Sequence, residues 1–220
     1  GDQEKVRSQI NTAIRFIMVI AFPCAVGMGV LASPILQLLF HDSSELAAAM
    51  LQLGAVSILF FSLSTLSNGL LQGINRMHEP VKNALIALVL HIGLLVGLMY
   101  GFHLNIYAVV YANAFFGLLM CVLNAYSVKK YSGYKQEWKR TFLIPGISAV
   151  VMGAAVWGVY KLTLYLFRVN ALATVISILV GVCAYAIVLL LLHGMTEEEI
   201  RKFPKGYLLV RIAKKMHLLH

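Results

Sequence analysis

The sequence predicts an all-helical, polytopic membrane bundle of six transmembrane helices, and three observations carry that reading. The composition is 60% hydrophobic and 12% charged, with a mean hydropathy of +0.82, outside the range of ordinary water-soluble domains. Six apolar stretches are each long enough to cross a hydrocarbon layer, which takes about 20 helical residues, and none of them contains Asp or Glu. Lys and Arg gather in alternate connections instead of being spread evenly. A closed barrel, the other architecture that satisfies its backbone in lipid, would show short alternating segments rather than continuous runs.

In chain order the spans cover 14–40, 47–72, 83–101, 106–127, 142–163 and 171–193, which divides the chain into a leading segment 1–13, four spans within 14–127, a basic loop 128–141, two spans within 142–193 and a basic tail 194–220. The first span holds Pro23 and Pro34. Each proline removes an intrahelical hydrogen bond, so a bend is expected and both are hinge candidates. Ala21, Ala25, Gly29 and Ser33 recur every four residues, a smooth face for close helix approach. Arg15 stands at the edge of this span.

The second span aligns Ser57, Ser64, Asn68 and Gln72 on one stripe. The third carries Asn83, Ala87 and His91 on one side and Gly93, Gly97 and Gly101, again four apart, on roughly the other, where they predict a tight crossing. The fourth places Asn113, Gly117 and Asn124 on a further stripe. Three successive helices therefore each own a polar face, which must turn inward or toward a watery cavity. Asn68, Gln72, Arg76, Asn83, His91 and Asn113 are the cavity-facing candidates. Interhelical hydrogen bonding is the plainer role for these amides, and it is favoured over direct substrate contact. His91 reads as a hydrogen-bonded packing residue in preference to a proton carrier, since no carboxylate shares its span.

The basic residues give an orientation. Lys5, Arg7 and Arg15 precede the first span, Arg76 and Lys82 separate the second from the third, Lys129, Lys130, Lys135, Lys139 and Arg140 separate the fourth from the fifth, and Arg201, Lys202, Lys205, Arg211, Lys214 and Lys215 follow the sixth. The opposite connections hold only Lys161 and Arg168. By the positive-inside rule this is a cell-membrane protein with both ends of the chain in the cytoplasm. The net charge of +9 is then a topology signal, and nucleic acid is not a partner. The chain begins with Gly1, and no signal-peptide pattern follows, so it is expected to start within a longer protein.

Cys24, Cys121 and Cys183 fall within spans and read as packing residues, not a disulfide or zinc framework. No phosphate-cradling loop, metal-spaced pair or nucleophile and base set is present, so neither catalysis, a metal nor a cofactor is expected. Thr196 and Glu199 have capping-box spacing, predicting a short helix that Pro204 ends. From Tyr207 to Leu219 a second, basic amphipathic helix on the inner leaflet and a solvated tail are equally compatible with the pattern.

The stretch from Ile14 to Phe40, the run from Leu70 to Tyr131 with its Gln72-Gly73 turn and Pro80, and the segment Thr196 to Gly206 together resemble the C-terminal part of polysaccharide-biosynthesis and sporulation-type flippases. These belong to the multidrug, oligosaccharidyl-lipid and polysaccharide exporter superfamily, near the MurJ-type lipid II flippases. The resemblance runs in order along essentially all 220 residues, though its individual motifs are loose. It implies the last four helices of the second lobe of a fourteen-helix, two-lobe transporter, plus two extra C-terminal helices. It also implies an N-terminal lobe of the same protein as partner, with a lipid-linked saccharide precursor and membrane lipids as ligands. Cargo would cross by alternating access, without covalent chemistry. A cation-coupled drug exporter of the same superfamily, and a non-transporting scaffold for cell-wall enzymes, are the rival readings.

Overall fold

The computed structural model describes residues 2–41, 44–134, 137–201, 207, 210 and 211, and the elements within them are helical. They are α1 (Asp2–Val30), α2 (Ala32–Phe40), α3 (Glu45–Gly73), α4 (His78–Val96, extended by a wide turn over Gly97–Gly101), α5 (Ile106–Ser132), α6 (Ile144–Phe167, preceded by a wide turn over Lys139–Leu143), α7 (Asn170–Leu191) and α8 (Glu197–Arg201). Six of these helices, counting the wide turns with their neighbours, are long and apolar enough to span a bilayer. The chain forms two compact units, 1–136 and 137–220.

In unit 1, α3 packs between α1 and α5, and α4 packs on α5. Of the small residues spaced four apart, Ala21 and Ala25 are buried, and a Cβ placed on Gly29 would lie 3.9 Å from Ala55 Cβ on α3. Ser33 is exposed. Gly117 lets α5 close on α3, since an added Cβ would come within 3.2 Å of Phe60 Cβ.

The first span ends at Phe40 as read from the sequence, but it starts earlier and is divided within. The helix starts at Asp2, far upstream of residue 14, and α1 runs unbroken through Pro23. The break falls at Leu31, the residue between α1 and α2. Pro34 accounts for it: three residues into α2, it cannot donate to the carbonyl of Val30, and its ring crowds that group. Leu31 donates to Gly27 and Ile35 to Leu31 at 2.9 and 2.8 Å, so the chain bends without losing the bonds on either side. Arg15 lies well inside α1, and it is 6% exposed rather than at an edge.

The glycine stripe of α4 also differs from expectation. A Cβ at Gly93, Gly97 or Gly101 would meet no atom within 4 Å, so no crossing forms there within unit 1. The physical reason is competition between the two sides of α4. Its other side carries Asn83, which cannot be left facing lipid, and that side docks on α5 with Asn83 and Ala87 buried. The glycines are turned away together with exposed Val89, Ile92 and Val96.

Unit 2 is built on the α6 and α7 hairpin. Ala173, Ser177, Gly181, Tyr185 and Leu189 form a buried stripe on α7, facing Ser148, Ala149, Met152 and Val156 of α6. Ser148 and Ser177 donate to the carbonyls four residues back, at 2.9 and 2.6 Å, which satisfies their hydroxyls inside the contact. Gly181 allows the approach, since a Cβ there would sit 2.5 Å from Val156 Cγ2. At one end Tyr160 donates to Asn170 Oδ1 at 2.9 Å. The capping box forms reciprocally: Thr196 N donates to Glu199 Oε2 at 2.9 Å and Glu199 N to Thr196 Oγ1 at 3.4 Å. The expected stop at Pro204 and most of the expected tail helix lie outside the described residues.

Candidate functional site

The polar faces of α3, α4 and α5 meet in a hydrogen-bonded clasp centred on Asn124, which is fully buried. Asn83 Nδ2 donates to Asn124 Oδ1 at 2.9 Å and to Ser127 Oγ at 3.1 Å. Asn124 Nδ2 donates in turn to Asn68 Oδ1 at 2.6 Å, with the carbonyl of Ser64 at 3.5 Å. The sequence achieves this because Asn68 lies five residues before the end of α3, Asn83 five after the start of α4 and Asn124 eight before the end of α5. At about 1.5 Å per residue those positions fall roughly 8 to 12 Å inside three helix ends that come together. Amides suit the task because each offers both donors and an acceptor, so one side chain can bond two neighbouring helices.

Deeper in the unit, His91 Nδ1 lies 2.9 Å from the carbonyl oxygen of Ala112 on α5. A carbonyl can only accept, so Nδ1 is the donor in this contact. The imidazole meets Phe116 edge-on at 5.6 Å, and Phe116 contacts Phe61 at 6.3 Å. Phe61 lines an open groove of about 350 Å³ between the first halves of α3 and α5, together with Met50, Gly54, Ser57, Val110 and Asn113. The groove has apolar walls and two polar groups, Ser57 and Asn113, and takes no part in the clasp.

The candidates read from sequence thus separate into three places. Asn68 and Asn83 belong to the clasp, where they bond other helices. Asn113 lines the groove, and His91 ties α4 to α5 behind it. Gln72 and Arg76 are exposed at the α3–α4 turn. The guanidinium of Arg76 stacks 4.5 Å from the ring centre of Tyr131. Among the described residues, no group of three or more metal-ligating side chains occurs. The cysteines are unbonded, with Cys24 and Cys183 exposed and Cys121 half-buried.

Three contributors escaped the candidate set. Asn124 is the centre of the clasp, and its place on the fourth-span stripe was a signal that could have singled it out. Ser127 and Tyr131 follow it at spacings of three and four on the same helix, which places them on one face, but Ser and Tyr near a helix end carry little information alone.

Comparison with known proteins gives a family match that runs across both units. The family described as Lipid II flippase MurJ matches residues 1–177, all of unit 1 and the first part of unit 2. A probable lipid II flippase MurJ of Bdellovibrio bacteriovorus is 28% identical over 199 residues, 84% of this chain and 37% of that protein. The lipid II flippase MurJ of Bacillus subtilis is 28% identical over 161 residues, 71% of this chain and 29% of that protein. The chain therefore spans about a third of the length of these curated relatives. No solved structure gives a significant match.

Proposed function

From the premise that this chain belongs to the MurJ lipid II flippase family, we propose that it serves the translocation of a lipid-linked cell-wall precursor across the cell membrane, as part of a two-lobe transporter. The observation that carries the reading is the family match from residue 1 to 177, which covers five of the six candidate spans completely. An undecaprenyl-type lipid bearing a sugar or peptidoglycan unit is the cargo. It crosses by alternating access, and both ends of this chain stand in the cytoplasm.

In this reading the parts of unit 1 have separate tasks. The clasp of Asn68, Asn83 and Asn124 makes α3, α4 and α5 move as one body. The groove bearing Ser57 and Asn113 belongs to the path that cargo follows. The bend at Leu31 ahead of Pro34 lets α2 tilt against α1, and Pro23 adds compliance to α1. Gly93, Gly97 and Gly101 await a helix from another part of the longer protein, for which they leave room.

The reading is tested with the longer protein that contains this chain. It is expressed as the sole flippase in cells whose own flippase is depleted, and precursor accessible at the outer surface is measured. Surface precursor is expected to recover. Precursor accumulating inside despite stable expression would overturn the reading.

A further inference from the structure

Beside the α3–α4 turn, Tyr131 of α5 joins one carboxylate through its hydroxyl and two cations through its ring. Tyr131 donates its hydroxyl to Glu79 Oε1 at 3.0 Å, and Lys82 Nζ lies 3.6 Å from the same oxygen. The Arg76 guanidinium carbon stands 4.5 Å from the Tyr131 ring centre and Lys130 Nζ 5.4 Å from it. Glu79 is thereby occupied by Tyr131 and Lys82. Among the described residues neither Arg76 nor Lys130 has a carboxylate within ion-pair distance, and both are exposed.

Stacking holds a guanidinium by its face and leaves its N–H edge free to bond oxyanions, the geometry in which Arg takes a phosphate through two parallel bonds. The hydroxyl bond to Glu79 fixes the ring, so Arg76 is held in place before any ligand arrives. The cluster also sits at the ends of membrane-spanning helices, the level of lipid phosphates and the usual station of tyrosine. An ordinary topology-setting charge needs neither a fixed ring nor a second cation over it.

We propose that Arg76, Tyr131 and Lys130 form a binding seat for the phosphate of an anionic membrane phospholipid in the leaflet at this end of unit 1. Tyr131 is a positioning residue, and Arg76 and Lys130 make the contact. The proposal stands apart from the transport reading, because it concerns a resident lipid and not the cargo.

The test uses the intact longer protein in detergent, titrated with phosphatidylglycerol or phosphatidylcholine, with bound lipids counted by native mass spectrometry. Phosphatidylglycerol is expected to be retained and phosphatidylcholine shed. Arg76→Gln and Lys130→Gln should each weaken retention about fivefold, the effect of one cation near a charged lipid surface. Tyr131→Leu should weaken it while changing no charge, Tyr131→Phe, which keeps the ring and loses the bond to Glu79 that fixes it, should weaken it less, and Lys139→Gln, which removes a like charge from unit 2, should leave it unchanged. Equal retention of the two lipids, or no loss in Arg76→Gln and Tyr131→Leu, would overturn the seat. So would displacement by millimolar inorganic phosphate, which would mark a free-anion site, or retention of undecaprenyl diphosphate but not phosphatidylglycerol, which would mark a cargo contact. If Tyr131→Leu aggregates, Arg76→Lys decides, since it keeps the charge and loses the planar guanidinium; it should fall between wild type and Arg76→Gln.

Discussion

Replacing Asn124 with Leu should loosen the three-helix clasp by an amount that can be worked from its bonds. Leu keeps the branch point and the number of side-chain heavy atoms of Asn but is the bulkier of the two, so at this fully buried site some overpacking adds to the lost hydrogen bonding. Two well-formed bonds disappear, those of 2.9 Å from Asn83 and 2.6 Å to Asn68, while the approach to the Ser64 carbonyl at 3.5 Å is at the limit of a hydrogen bond. Interhelical bonds in membranes average about 0.6 kcal/mol and reach about 1.7, so the expected cost is roughly 1 to 3 kcal/mol. The lower part of that range is favoured, because Asn83 keeps Ser127 at 3.1 Å and half-buried Asn68 can find another donor. Asn68→Leu removes one bond and should cost less. Reversible unfolding in mixed detergent micelles measures each variant, and double-mutant cycles separate the pairs. Asn124 should couple to both Asn68 and Asn83. Those two do not bond each other but share Asn124 as a partner, so their coupling should be weaker than the coupling of either to Asn124. An Asn124→Leu protein as stable as wild type, or more so, would refute the idea that this network holds α3, α4 and α5 together.

Other perturbations address the remaining contacts. Gly181→Ala forces a methyl to 2.5 Å from Val156 Cγ2 and should destabilise the α6 and α7 hairpin by about 1 to 3 kcal/mol in the same unfolding assay, with Val156→Ala restoring most of it; no loss would mean that the helices separate freely. Gly93→Ala, in open space on an α-helix, should be neutral or stabilising by up to about 1 kcal/mol in this chain. A loss seen only in the longer protein would show that another helix closes on that face. For orientation, single cysteines placed at exposed Asn75 and exposed His103 in a cysteine-free background should label oppositely in intact cells. An impermeant maleimide should reach position 103 and not 75, and the reverse pattern would invert the proposed topology.

The sequence made the membrane class legible because lipid imposes a composition rule on whole segments, and a rule obeyed over twenty residues survives errors in any one. Pairwise geometry obeys no such rule. On the four-residue stripe of α1, Ala21 and Ala25 are buried and Gly29 lies close to Ala55 of α3, whereas the equally regular stripe of Gly93, Gly97 and Gly101 meets nothing in its unit. Small residues say only that a helix could approach; a buried amide on the opposite side of the same helix decides which side does. The buried stripe from Ala173 to Leu189 went unmarked for the complementary reason, since alanine, serine and glycine among so many apolar residues raise little contrast in hydropathy.

Arg15 shows the same gap between local and cooperative information. An apolar window places a charge at its own edge, because that minimises the cost of the window taken alone. The helix instead extends upstream to Asp2, and its first turns are tied down by Arg7 Nε donating to the Ser132 carbonyl at 3.1 Å and by Tyr134 donating to Asn11 Oδ1 at 3.1 Å. Eight residues beyond Arg7, Arg15 therefore enters roughly 12 Å past that anchor, near the depth at which Asn124 sits on antiparallel α5. Burying a guanidinium there requires partners, and Arg15 has an interaction of its own. Two of the most polar groups in unit 1 thus occupy comparable levels, close to the end where Arg76, Lys129 and Lys130 emerge. Near that end the hydrocarbon gives way to water and buried polar groups cost least. The same end can hold rigid polar joints while the opposite half keeps an open groove, a division that follows from where lipid tolerates polarity and not from any motif.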